Sequence, residues 1–144
     1  MKKLFYFLAA SALLVACGGE EKKSEEEPQG PMIAEQDVEG YLSIPEQELT
    51  FVDEYDSDRD KTKVKLSIQM SCNKDLEENA KVVVDVVDAD GYTLMSDFFT
   101  ANSFKAGRKD NQTCTFYFRG DDQYENSKRF MEAAKGVNVT IVRE

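Results

Sequence analysis

The chain has 144 residues, 18 basic against 28 acidic, no histidine and a formal charge of −10. One domain fits this length, and the acidic balance disfavours nucleic acid and anionic lipid surfaces as partners. Without histidine, Ser-His and Cys-His catalytic pairs and imidazole metal sites are excluded. The chain also lacks G-x-S-x-G, a phosphate-binding loop and a dinucleotide fingerprint, so no enzyme is expected.

Lys2 and Lys3 precede an uncharged run from Leu4 to Ala16. That run is too short to span a bilayer, which takes about 20 apolar residues, and fits the apolar region of a secretory signal peptide, residues 1–16. Leu14-Val15-Ala16-Cys17 resembles the lipobox of bacterial lipoproteins. The resemblance implies cleavage before Cys17, diacylglycerol on its sulfur and acylation of the new amino terminus. Several acyl chains hold a membrane far more firmly than one. The implied place is the outer membrane, on its periplasmic face or at the cell surface. Loss of the leader removes Lys2 and Lys3 and leaves a net charge of −12.

Residues 17–45 read as the lipidated cysteine and a flexible acidic tether. From 18 to 45 there are eight acidic residues, four glycines and all three prolines, with few large apolar residues. Such a composition buries too little surface to offset ordering entropy. The run Ser24-Glu25-Glu26-Glu27 has two readings: a solvated linker, or a signal similar to the surface-export signals of Bacteroidetes lipoproteins.

Residues 46–144 read as the folded domain. "LTFVDEY" predicts a first strand near Leu49 and Phe51. "TKVKLSIQMSC" alternates strictly, with Val64, Leu66, Ile68, Met70 and Cys72 on one face and Lys63, Lys65, Ser67, Gln69 and Ser71 on the other, as in a half-buried strand. "KVVVDVV" places Val82, Val84 and Val86 together. Asp88-Ala89-Asp90-Gly91 predicts a hairpin turn, because glycine tolerates positive φ, and "YTLMSDFF" returns from it. "QTCTFYF" turns Cys114, Phe116 and Phe118 inward and Thr113, Thr115 and Tyr117 outward. "NSKRFMEAAKG" predicts a helix with Asn126 or Ser127 at its N-cap, Phe130 and Ala134 towards the sheet, and Gly136 as its stop. "VNVTIVR" is the last strand. The fold class expected is mainly β: an antiparallel, immunoglobulin-like β-sandwich with one short helix before the last strand. "VVVDVVDADGYTL" resembles the strand-turn-strand of small immunoglobulin-like bacterial envelope domains such as the FxLYD group.

With Cys17 acylated, Cys72 and Cys114 remain. An even pair in an exported protein favours a disulfide, here closing a loop of about 43 residues for roughly 4 kcal/mol. The alternative is two buried thiols acting as small apolar residues. Asp56, Asp58 and Asp60 match the D-x-D-x-D start of a calcium loop. However, Lys61 stands where the sharp turn needs Gly, and Ser67 where the bidentate Glu belongs. With Asp88 and Asp90 they would form a weak cation site if both loops met at one end of the sandwich; separate acidic turns are the competing reading. No other cofactor is implied. Phe98 and Phe99 are adjacent, so one must point away from the core. With Phe104 they form either an apolar patch or core filling at a strand end.

The expected function is therefore non-enzymatic. A lipid-anchored envelope lipoprotein carries a small domain that binds another envelope protein or a glycan, and no nucleic acid. The alternative is a solute- or calcium-binding module using the Asp-rich loops.

Overall fold

The computed structural model describes residues 31–144. Cys17, the leader and the tether up to Gly30 lie outside the described residues. Ten strands and one α-helix follow in order: β1 (Met32–Ile33), β2 (Gln36–Val38), β3 (Leu42–Ile44), β4 (Gln47–Glu48), β5 (Phe51–Asp56), β6 (Lys61–Cys72), β7 (Ala80–Val87), β8 (Thr93–Thr100), β9 (Lys109–Arg119), α1 (Gln123–Ala133) and β10 (Gly136–Arg143).

All ladders are antiparallel. Of the two main sheets, the smaller runs β8-β7-β10 and the larger runs β9-β6-β3-β2, with β5 also on β6, while β1 and β4 form a separate two-stranded pair. The inner faces of both sheets feed one core. Val64, Leu66, Ile68, Cys114 and Phe116 come from the larger sheet, and Val82, Val84, Val86, Val137, Val139 and Ile141 from the smaller. The expected antiparallel sandwich is what forms, as open sheets and not a barrel. The period-2 pattern decides this, because each alternating strand has only one face fit for burial. The β7–β8 hairpin also forms as predicted. Gly91 takes φ +89°, and the Asp88 carboxylate accepts from the backbone N–H groups of Asp90 and Tyr92, both at 2.9 Å.

The folded unit starts earlier than composition suggests. Residues 31–45, read as tether, supply β1, β2 and β3, and bury Ile33, Val38, Leu42 and Ile44 in the core. These strands are two or three residues long, too short to show a period.

Two glutamines complete the edges where backbone pairing stops. Gln36 bridges the sheets: its amide donates to Val137 O and accepts from Val139 N–H, each at 3.0 Å. Gln47 does the same for Gln69, at 3.2 and 2.9 Å, on the stretch of β6 between β3 and β5. At the opposite corner the Asp97 carboxylate of β8 accepts from Thr115 N–H of β9 at 3.0 Å. These side chains satisfy edge groups that invite pairing with other chains.

Helix α1 begins at Gln123, three residues before the expected N-cap, and its Asp122 N-cap makes no side-chain cap bond. Gln123 replaces that cap with a buried link: Thr62 Oγ1 donates to its Oε1 at 2.8 Å, and its Nε2 reaches Gly120 O at 3.2 Å. Ser127 lies inside the helix and donates to Tyr124 O. Gly136 is the first residue of β10, and the helix stops because Ala134 turns extended. Phe130 and Ala134 face the sheet and are buried, as expected.

The disulfide does not form. Cys72 and Cys114 are both free and buried. They lie on neighbouring strands of one sheet, where Cys114 pairs with Leu66 and Lys109 with Ser71. Six residues along a strand is roughly 20 Å, against a Cα limit of about 7 Å for a bridge. Cys72 Sγ instead donates to Lys74 O at 2.8 Å. Burial, with the Asp97 charge second, pushes the Cys114 thiol up to about 12. In a chain carrying Cys17→Ser, we expect thiol reagent at neutral pH to leave Cys114 unlabelled in the native state and to count two free thiols after unfolding without reductant. A count of zero would restore the bridge.

Candidate functional site

Two of the five aspartates of the expected cation site are bonded within their own turns. Asp60 Oδ1 accepts from the Tyr55 hydroxyl at 2.8 Å and from Gln123 Nε2 at 3.3 Å, while Asp88 caps its hairpin. Among the described residues no three acidic, Cys or His groups gather into a cation-holding cluster. The calcium reading of Asp56, Asp58, Asp60, Asp88 and Asp90 is therefore corrected to two separate turns. Asp60 and Asp88 are held against nearby N–H and O–H donors within separate turns, and no shared centre forms among the described residues.

The exposed aromatic question resolves strand by strand. Phe98 is 53% exposed on the outer face of the smaller sheet; Phe99 packs on the core against Phe104 at 6.2 Å, and Phe104 is buried. The patch is therefore Phe98 with Val83 and Val142, lining a shallow groove of about 260 Å³ and not including Phe104. Lys81 Nζ stands 5.0 Å from the Phe98 ring.

The outer face of the larger sheet is built differently. Register sets the row Asp37–Ser43–Ser71–Lys109 across β2, β3, β6 and β9. All four residues sit opposite the inward positions Val38, Leu42, Ile44, Met70 and Cys72, so alternation turns them outward. Around this row lies a cleft of about 560 Å³, lined by Glu35, Asp37, Ser43, Gln69, Ser71 and Lys109 among others. Gln47 holds its floor by pinning the Gln69 backbone.

Below the cleft the same face becomes cationic. Lys61, Lys63 and Lys65 point outward along β6 beside Arg119 of β9, facing Glu54 and Asp56 of β5. Glu54 divides its oxygens between Lys65 at 2.9 Å and Lys63 at 3.8 Å. The bond from Lys65 holds the Glu54 carboxyl below its ordinary value. Lys61 is buried under Tyr117, with its ammonium 4.0 Å from the ring centre. Desolvation, then the charges of Arg59 and Arg119, lowers its pKa. Among the described residues neither Lys61 nor Arg119 has a carboxylate within ion-pair distance.

A further network closes the end where the chain finishes. Arg143 Nη1 bonds Glu39 Oε1 at 2.9 Å and its Nε bonds Glu77 Oε1 at 3.2 Å, while the Tyr41 hydroxyl donates to Glu77 Oε2 at 2.5 Å. The Tyr41 bond, ahead of the Arg143 charge, lowers the Glu77 pKa. These contacts tie the β2–β3 hairpin to the last strand and are structural.

The sequence assigned the outward direction of Lys63, Lys65, Ser67, Gln69 and Ser71 correctly. It missed Asp37, Ser43 and Lys109, because their place in one row depends on which strands adjoin. No helix among the described residues is long and apolar enough to cross a membrane. Comparison with known proteins finds no matching family model, curated protein or solved structure.

Proposed function

We propose that this chain is a lipid-anchored lipoprotein of the bacterial outer membrane, attached through Cys17, with a non-enzymatic binding domain whose ligand is an envelope glycan. The single observation that carries the binding reading is the polar cleft of about 560 Å³ on the larger sheet. Serine hydroxyls, a glutamine amide and charges of both signs line it, which suits a polyhydroxylated ligand. The core of a protein–protein interface is instead apolar and depleted of charge. A protein partner fits the smaller sheet better, where Phe98 and Val142 are half exposed.

The test uses the full chain carrying Cys17→Ser, which on this reading is released from the membrane fraction. Binding is measured by affinity electrophoresis against a panel of neutral and acidic polysaccharides. Ser71→Leu and Gln69→Leu, both at outward positions, are expected to weaken binding about tenfold, or 1.4 kcal/mol, with the melting temperature unchanged. Retained affinity in both variants would remove the cleft from the site.

A further inference from the structure

We infer that the ligand of the larger sheet is an acidic polysaccharide, a sugar chain bearing carboxylates, laid along β6 and β9. This rests on the reading of that face as the binding surface. The argument is one of charge placement. The whole chain carries −10, yet three accessible cations on β6 and β9, Lys63, Lys65 and Arg119, face two carboxylates of β5 at one end of this face, with Lys61 buried beneath Tyr117. One of those carboxylates is already shared between two lysines.

Lys109 marks the other end of the same strand, with Asn111, Thr113, Thr115 and Tyr117 between it and Arg119. Ten residues of strand separate the two cations by roughly 34 Å. On β6 the matching middle is Ser67, Gln69 and Ser71. A ligand running with the strands therefore meets Lys109 beside the cleft carboxylates Glu35 and Asp37, then hydroxyl and amide groups, then the cations Lys63, Lys65 and Arg119. Bound carboxylates answer the cationic end, and sugar hydroxyls answer the middle.

Nucleic acid fits this face poorly. Tyr117 is the one aromatic residue at the outward positions of β6 and β9, so there is no row of rings for stacking bases. The charge of the whole chain also opposes a dense phosphate backbone. An anionic peptide lacks the hydroxyls that the neutral middle would bind.

The experiment titrates the full Cys17→Ser chain with polygalacturonate and, in parallel, with dextran of equal length. The expected result is at least about tenfold tighter binding of polygalacturonate, falling about tenfold between roughly 20 mM and 200 mM salt as screening shortens the reach of the cations. Lys65→Gln and Arg119→Gln are each expected to weaken polygalacturonate binding about threefold to tenfold, while Lys81→Gln, on the other sheet, leaves it unchanged. Melting temperatures report whether each variant is folded.

Equal affinity for the two polymers would overturn the acidic assignment and leave the glycan reading standing. Binding of neither would overturn both. Binding of polyglutamate, or of a single-stranded oligonucleotide, as tightly as polygalacturonate would overturn the choice of a sugar chain.

Discussion

A chain that begins at Glu46 is expected not to fold, whereas one that begins at Pro31 folds as well as the longer protein. The shorter chain loses Ile33, Val38, Leu42 and Ile44, which are 0%, 6%, 0% and 1% exposed. Burying each such side chain is worth about 1.5–3 kcal/mol, so the four together approach the whole stability of a typical domain, about 5–15 kcal/mol. The loss also removes Gln36, which satisfies Val137 and Val139, and uncovers the edge of β6 at Ser71 and Cys72. Circular dichroism with thermal melting distinguishes the outcomes. A cooperative melt from the chain starting at Glu46, at the temperature of the longer one, would show that the first three strands are an accessory.

The second large effect is expected at Phe130. Its ring lies 5.4 Å from Phe51, 5.2 Å from Phe116 and 5.7 Å from Phe118, and packs α1 onto the larger sheet. Phe130→Ala removes that contact and leaves a cavity among three rings, at a cost of about 3–5 kcal/mol. The helix would still be tethered by the Thr62–Gln123 hydrogen bond, which alone is worth about 1 kcal/mol. Urea denaturation is expected to show a much lower midpoint, and Phe130→Leu a smaller shift, because it refills part of the volume. Equal stability in Phe130→Ala and the parent would mean that the helix does not depend on this ring.

Much of the central fold is legible in residues 61–143. Where three or more apolar residues alternate, as in Val64 to Cys72 or Val137 to Ile141, local periodicity states both the strand and its buried face. The hairpin at Asp88–Gly91 is legible for a different reason, since its positive φ is nearly reserved for glycine. The helix is legible in kind but not in its start. Its first residue is set by Gln123 reaching Thr62, a contact 61 positions away.

The candidate site divides along the same line. Alternation alone turned Lys63, Lys65, Ser67, Gln69 and Ser71 outward. It could not bring Lys109, Ser43 and Asp37 into one row with Ser71, because register between distant strands is not written in either strand. The same ignorance produced the expected bridge. Both cysteines were correctly turned inward, yet an offset of six residues separates them.

By itself, then, the amino-acid sequence determined the mainly antiparallel β architecture, the inward and outward faces of the strictly alternating strands, the absence of histidine chemistry and the acidic character of the chain. Tertiary structure alone decided three further things. It drew residues 31–45 into the core, because strands of two or three residues have no period and gain their stability from the partners they meet. It kept Cys72 and Cys114 apart. It also gathered cations scattered from Lys61 to Arg119 onto one face, because a sheet places residues by lateral pairing and not by their distance along the chain.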